Sequence, residues 1–597
     1  MKHPDPARSS TGLLRVFHEG GLLSWGDVHT AQTVSRLFDE TEDNVKLAFA
    51  LTVRALRAGS VCLDLGAARG WAVAADEDSP DIPARLWPDP ALWAQAVHAS
   101  PLVTLGPDAP TGRPLRLVDG LLYLERYWQE ERSVAEEFAR RSTASPGPVL
   151  VEKLAEGLDA IFGRPPVDRD QQMAGAVSVL SPVTIVAGGP GTGKTTTIAA
   201  IIALLGLALG GSPRIALAAP TGKAAARVED AIGQSQQRFP LGWRGPLTGI
   251  RATTLHRLLG WTPEARTRFR HNRNNPLPHD AVIVDEASMV SVTMMARLLE
   301  ALRPEARLIL VGDPDQLAPV EAGAVLADMV AAPHTATSLT AALRDMSMEP
   351  SGPVVRLGRN WRFDGAISAL AEAVRTGDGE SALALLRSGD PAVSLVEVAG
   401  SALKRDVVDN GAFLVAAARD GRVEDALAAL ERHRLLCAHR RGPFGVSFWS
   451  RQVEAWLAEA IGDVRAGREW YPGRAVLVTE NLPDVGLSNG DTGVVVAQDG
   501  QLRVWFGRGP SRRSISPYLL DSVQTVHAMT VHKAQGSQFE RVTLLLPPPD
   551  SPLLTRELLY TAVTRATTAV ALIGSEESLR RAVRQRVLRA SGLNKGN

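Results

Sequence analysis

Eight residues constrain this chain more than any other stretch: Gly188-Gly189-Pro190-Gly191-Thr192-Gly193-Lys194-Thr195. They follow a β-branched run, Val183-Thr184-Ile185-Val186, and precede an apolar segment from Thr196 to Leu209 that predicts a helix. Strand, glycine-rich turn and helix in that order, spelled G-x-x-x-x-G-K-T, make a phosphate-binding loop. Glycines let backbone N–H groups turn inward around phosphate oxygens, and the helix N-terminus adds partial positive charge. Lys194 is expected to reach the β- and γ-phosphates, and the Thr195 hydroxyl to hold Mg²⁺.

A chain of 597 residues is too long for one core and predicts several domains. Lysine plus arginine equals aspartate plus glutamate, 65 each, so any polyanion must be held in a local channel. Only eight residues are lysine, and Lys194, Lys223 and Lys533 all fall in motifs. Where arginine is the general choice, a lysine suggests a site needing a point charge. Cys62 and Cys437 are the only cysteines, which argues against a disulfide framework or a Cys₄ metal site and suits a reducing cytoplasm. No secretory signal is apparent, and the longest apolar run is too short to span a bilayer.

From about 165 to 345 strand and helix patterns alternate. Residues 183–187, 214–218, 281–284 and 307–311 are near-continuous apolar runs, as in a parallel sheet covered on both faces. After 470 short strands joined by Asn489-Gly490 and Asp499-Gly500 predict a small antiparallel barrel inserted in a second α/β domain. The second domain's strands are expected at 541–546 and 569–573. Ser145-Pro146-Gly147-Pro148 suggests a boundary after an N-terminal domain.

The phosphate loop needs a partner for Mg²⁺ and water. Val282-Ile283-Val284-Asp285-Glu286 is an apolar strand ending in two carboxylates, where open α/β sheets bind ligands. Asp285 would orient the Mg²⁺ shell and Glu286 would act as general base. The next strand runs into Gly312-Asp313-Pro314-Asp315-Gln316-Leu317-Ala318-Pro319-Val320, placing Gln316 to sense the γ-phosphate.

With Ala219-Pro220-Thr221-Gly222-Lys223 and Thr254-Leu255-His256-Arg257, these segments resemble the ordered motifs of superfamily 1 helicases. Gln-Leu-Ala-Pro-Val resembles the branch that moves 5′→3′. Within that branch the chain is most similar to the RecD family, alpha subunits of exodeoxyribonuclease V (RecBCD). Leu357-Gly358-Arg359-Asn360-Trp361-Arg362, Leu435-Leu436-Cys437-Ala438 followed by Gly442-Pro443-Phe444-Gly445, Thr530-Val531-His532-Lys533-Ala534-Gln535-Gly536 and Tyr560-Thr561-Ala562-Val563-Thr564-Arg565 continue the resemblance. Many relatives have Glu where Gln538 stands, which weakens a carboxylate role there.

The resemblance implies an ATP- and Mg²⁺-dependent 5′→3′ DNA helicase without a nuclease domain. It would act with RecB-like and RecC-like subunits on DNA ends, in a bacterial, nucleoid-associated setting and with no membrane. ATP would lie on Gly188 to Thr196, with Gln171 reading adenine and Thr196 closing the loop. Lys194, Glu286, Gln316, Arg362 and Arg565 would be catalytic, the two arginines as fingers; Thr195 and Asp285 would hold the metal. Thr221, Lys223, Thr254, His256, Thr530, His532 and Lys533 would touch DNA, and Trp361 and Trp449 could stack bases. The implied fold is α/β. It comprises a mainly helical partner-docking domain (1–150), a first RecA-like domain (151–348) and a second (349–597) with an SH3-like barrel at about 472–522. A stand-alone RecD-like helicase and a scaffold with a dispensable ATPase are the alternatives.

Overall fold

The computed structural model describes residues 12–74, 82–144, 147–163, 168–262, 268–332, 339, 343–344, 346, 348, 352–361, 365–397, 401–462, 468–507 and 512–593. Its centre is a six-stranded parallel sheet in the order Val354–Leu357, Val183–Gly188, Arg307–Gly312, Ala281–Val284, Ile215–Ala219, Ala252–Thr254. Alternation along its strands divides two cores. Ile185, Val284 and Leu310 face one, while Val186, Ile283 and Ile309 face the other. With both faces covered, the strands read as unbroken apolar runs. The helix after the phosphate loop runs Lys194–Ala208 and is buried from Thr197 through Leu205. Two strands of this sheet are not legible in the sequence. Ala252–Thr254 is short and polar, and Val354–Leu357 joins this sheet from beyond the boundary expected at 348.

A second parallel sheet, five strands, has the order Val393–Val396, Ala566–Ile573, Phe539–Leu545, His433–Cys437, Ala528–Thr530. Between Tyr471 and Val526 lies a five-stranded antiparallel sheet: Arg513–Ile515, Gln501–Phe506, Thr492–Gln498, Ala475–Val478, Val523–Thr525. It has its own small core around Val476, Val495, Val504 and Phe506.

The N-terminal region is helical, as expected, but also holds a four-stranded sheet. Strands Leu115–Val118 and Leu121–Leu124 form a hairpin around Asp119 and Gly120, whose φ values are 49° and 78°. Asp-Gly with both residues left-handed is the two-residue turn matching strand twist. That signal was present in the sequence beneath a helix-rich composition.

This region is fastened to the first parallel sheet by helix Glu125–Thr143. Its fully buried Arg141 donates to the carbonyls of Ala306 (2.6 Å) and Arg303 (2.9 Å) and pairs with Glu137 at 2.7 Å. Arg141→Ala takes this donor from the Ala306 carbonyl, whereas Arg303 O keeps the Ala306 N–H and Glu137 keeps Arg140. A lost partner at a buried site costs about 1–3 kcal/mol, so the urea midpoint should fall; an unchanged midpoint would show the fastening to be incidental. A second link comes from the far end of the chain. Ala590 accepts from Val61 N (2.9 Å), Ser591 Oγ and Gly592 N donate to buried Glu131, and Arg589 donates to the Pro319 carbonyl. No helix among the described residues is long and apolar enough to cross a membrane.

Candidate active site

The phosphate loop joins strand Val183–Gly188 to helix Lys194–Ala208 at the C-terminal end of the central sheet. Gly191 and Gly193 take φ of 86° and 81°, which a side chain resists. Lys194 Nζ donates to the carbonyls of Gly188 and Gly189, both at 2.8 Å, and Thr192 Oγ1 donates to Gly189 O at the same distance. The ammonium is therefore held at the loop mouth by oxygens that offer no net charge. Gln171 is buried and its amide donates to Thr192 O at 3.2 Å. A Cβ on Gly193 would stand 2.2 Å from Gln171 Nε2. Gly193→Ala meets that contact and a left-handed backbone, the latter alone costing about 1–2 kcal/mol. Nucleotide affinity should fall tenfold or more, about 1.4 kcal/mol, as read by titration with a fluorescent nucleotide. Wild-type affinity would mean that the loop tolerates a different shape.

Strand Ala281–Val284 delivers the two carboxylates. Asp285 is buried, and burial and then Glu286 push its pKa up to about 7 against the opposing pull of Lys194. Glu286 is half-buried with φ 51°, a left-handed backbone that a residue with Cβ keeps only when its surroundings impose it. The donors available, the Thr195 hydroxyl and the Asp285 carboxylate, are hard oxygens. Among the described residues no cluster of three His, Cys, Asp or Glu could hold a metal alone. Both facts suit Mg²⁺, which is commonly bound through one or two protein oxygens with phosphate oxygens completing the shell. A cation beside Asp285 would also remove the penalty that raises its pKa.

Strand Arg307–Gly312 leads to Asp313, which is buried, its pKa raised by burial and opposed by Lys194. Its Oδ2 accepts from Gln316 Nε2 at 2.9 Å and from the Tyr560 hydroxyl at 3.2 Å. Tyr560 lies on helix Arg556–Val563 in the second half of the chain. The same helix's Thr561 Oγ1 accepts from Leu317 N (2.9 Å), and Gln535 Nε2 donates to Leu317 O (2.8 Å). The loop after the third strand is thus stitched to the second half by three bonds. Arg565, just beyond that helix, is buried. Burial lowers its pKa while the charges of Glu286 and Asp313 oppose that shift. Its Nε donates to Thr561 O at 3.1 Å.

Arg362 lies outside the described residues. Its neighbour Trp361 is 43% exposed, donates its backbone N–H to Gly191 O (2.8 Å) and its indole N–H to Asp168 (2.9 Å), and lies under the Arg359 guanidinium. Asp168 caps the helix that carries Gln171. Trp361, read in the sequence as a possible stacker of DNA bases, therefore sits at the phosphate loop. Trp449 is 9% exposed and packs edge-on to Trp456.

Of the expected DNA contacts, the Thr221 and Thr254 hydroxyls cap helix N-termini, accepting from Ala224 N and Arg257 N, and Thr530 Oγ1 accepts from Lys533 N. His256 is exposed near Trp261 and Phe269. Lys223 Nζ donates to Ser537 Oγ (2.8 Å), and burial pushes its pKa down to about 8. Arg227 donates to Gly536 O (2.8 Å). These two bonds join the first half to the turn carrying His532, whose pKa burial pushes to about 4, and exposed Lys533. Sequence reasoning misses Asp313, Tyr560 and Arg227 as site residues. The first two lie inside recognised motifs, but their roles depend on contacts between halves of the chain.

Residues 171–322 match the model of an AAA domain, 525–573 that of a UvrD-like helicase C-terminal domain, and 19–123 the N-terminal domain of RecBCD enzyme subunit RecD. The chain is 48% identical to the RecBCD enzyme subunit RecD of Mycolicibacterium smegmatis, over 98% of both chains. It is 47% identical to the protein of that name from Mycobacterium tuberculosis (strain CDC 1551 / Oshkosh), over 99% of this chain and 97% of the other. The ATP-dependent RecD2 DNA helicase of Deinococcus radiodurans is 34% identical over 69% of this chain and 50% of its own length.

Proposed function

The chain belongs to the RecD family of RecBCD enzyme subunits, and on that premise we propose that it is an ATP-dependent 5′→3′ DNA helicase acting at duplex ends with RecB-like and RecC-like partners. The observation that carries this reading is the composite site. Arg565 and Tyr560 come from the second half of the chain and face Glu286 and Asp313 of the first.

The two parallel sheets are two RecA-like motor domains, divided near residue 349, with an SH3-like barrel inserted in the second at about 472–522. Residues 1–150 dock the partner subunits. ATP lies on Gly188 to Thr196, with Gln171 at the adenine and the exposed indole of Trp361 beside it. Lys194 turns from the Gly188 and Gly189 carbonyls toward the β- and γ-phosphates. Thr195 and Asp285 would hold Mg²⁺, which would supply positive charge against the negative charge developing on the phosphates. Glu286 takes the proton of the attacking water, and Gln316 reads the γ-phosphate. Arg362 and Arg565 fork donors onto equatorial oxygens.

Because the fingers belong to one domain and the carboxylates to the other, hydrolysis requires the two to be apposed. Opening after phosphate release then moves the Lys223–Ser537 seam, along which Thr221, Lys223, Thr254, His256, Thr530, His532 and Lys533 hold the strand by its phosphates. Such contacts position a strand without reading its sequence.

The test is unwinding by the purified chain, and by the reconstituted complex, of duplexes bearing only a 5′ or only a 3′ single-stranded tail. Opening of the 5′-tailed duplex alone is expected. Opening of only the 3′-tailed duplex overturns the polarity, and no opening by either preparation overturns the helicase reading.

A further inference from the structure

One exposed surface is left unused by the site above. Strands His433–Cys437 and Ala528–Thr530 are parallel neighbours, with Cys437 in register with Thr530, so the segments that follow them emerge at the same sheet end. One carries His532 and Lys533. The other is Arg440-Arg441-Gly442-Pro443-Phe444-Gly445, which enters helix Val446–Ile461. Phe444 is 37% and Phe448 40% exposed, the latter edge-on to Trp449 with ring centroids 5.6 Å apart, on a helix that buries Trp449, Val453 and Leu457. Arg440, Arg441, Arg451 and Lys533 are all exposed, and none has a carboxylate partner among the described residues. The helix's own acids are engaged elsewhere, Glu459 with Lys404 at 2.6 Å and Glu454 near His527 at 3.7 Å. Arg440 is near enough for its charge to act on both His532 and Lys533.

Exposed cations with no carboxylate partner among the described residues, on the same segments as two exposed phenyl rings, suit one class of ligand. A single-stranded nucleic acid supplies phosphates to neutralise the cations and unpaired bases to cover the rings. A duplex would bring phosphates but no free base faces, and a folded protein partner would have to bring a row of carboxylates.

We propose that Arg440, Arg441, Phe444, Phe448 and Arg451 form a stacking platform that continues the single-strand path beyond Lys533. This rests on the helicase reading and extends it, because none of these residues lies in the seam between the two halves. The platform holds bases by their faces, so it is indifferent to sequence. It lengthens the strand that the chain can occupy.

The experiment measures binding of the full chain to oligothymidylates of about 8 and about 16 nucleotides, a span over which a second subsite would come into reach. Phe444→Ala/Phe448→Ala should weaken the longer oligomer by about thirtyfold or more, the loss of two base stacks, and leave the shorter one unchanged. Arg440→Ala/Arg441→Ala should flatten the salt dependence for the longer oligomer, the log–log slope changing by about 0.7 for each phosphate left without its arginine. Four outcomes are decisive. Loss confined to the longer oligomer, with the melting temperature unchanged, supports the platform. Equal affinity of variants and wild type for both lengths overturns it and leaves the helicase reading standing. Wild-type DNA binding combined with failed assembly with the partner subunits also overturns it, assigning the surface to protein. Absence of binding by the wild-type chain in the assembled complex would sink the helicase reading, and this inference with it.

Discussion

Lys194→Ala should abolish ATP turnover while leaving single-strand binding nearly intact. The ammonium is fixed at the loop mouth, 2.8 Å from the carbonyls of both Gly188 and Gly189. Those carbonyls orient the side chain without neutralising it, so its charge is available to the phosphates. Removing one preorganised donor from a transition-state oxygen typically costs about 10²–10³ in rate, and Lys194 supplies a full charge as well. Lys194→Arg should fare little better, because a planar fork cannot make the two convergent bonds that an ammonium makes here. The expected DNA contacts stand on other elements, the helix Gly222–Gln236 and the turn after Ala528–Thr530, so their geometry does not pass through Lys194. The check is steady-state ATPase beside fluorescence-anisotropy binding of oligothymidylate on one preparation. Turnover within a few-fold of wild type would remove the phosphate-loop assignment. Joint loss of both activities would mean that the substitution damaged the fold.

The sequence made the central sheet legible because its physics is local. Four buried strands read as unbroken apolar runs, and the loop after the first announces itself by glycines that only a phosphate turn requires. The carboxylates of Asp285 and Glu286 were legible for the same reason, standing where a buried strand reaches its ligand-binding end. Other features were illegible because they depend on the three-dimensional arrangement. Val354–Leu357 looks like any short apolar stretch and becomes part of the sheet only by pairing with Val183–Gly188. Tyr560 looks like a helix aromatic until its hydroxyl is seen bonded to Asp313, just past a strand far back in the chain. Lys223 was read as a simple phosphate contact, yet its Nζ crosses to Ser537 and is partly desolvated. Trp361 illustrates the opposite limit. Its motif was recognised, but only the bonds to Gly191 and Asp168 place the ring at the nucleotide loop.

Arg565→Ala separates binding from chemistry. The guanidinium is buried, near enough to Glu286 and Asp313 for their charges to act on it. Its own half holds it through one good bond, Nε to Thr561 O at 3.1 Å, and long approaches of 3.4 Å to Ser537 O and 3.5 Å to Thr564 Oγ1. Bonds that long are weak, so the terminal nitrogens keep donor capacity toward the first half. Burying an arginine with this little satisfaction is costly, and a cost of that kind at a composite site is explained if the missing partner is the γ-phosphate. In the ground state that phosphate is already held by the loop and Lys194. In the transition state charge spreads over its equatorial oxygens, and an arginine finger there is worth about 10³–10⁵ in rate. The turnover number should therefore fall by that factor, while ATP affinity, measured with a slowly hydrolysed analogue, should change by less than about tenfold. Arg565→Lys keeps the charge but loses the fork, so it should recover only part of the rate. It also fills most of the cavity that alanine would leave, which distinguishes lost chemistry from a loosened core. A rate unchanged in both variants would make Arg565 a structural residue of its own half. A parallel loss of affinity and rate would instead mean that it binds ground state and transition state alike, and the coupling of hydrolysis to domain apposition would then have to come from Arg362.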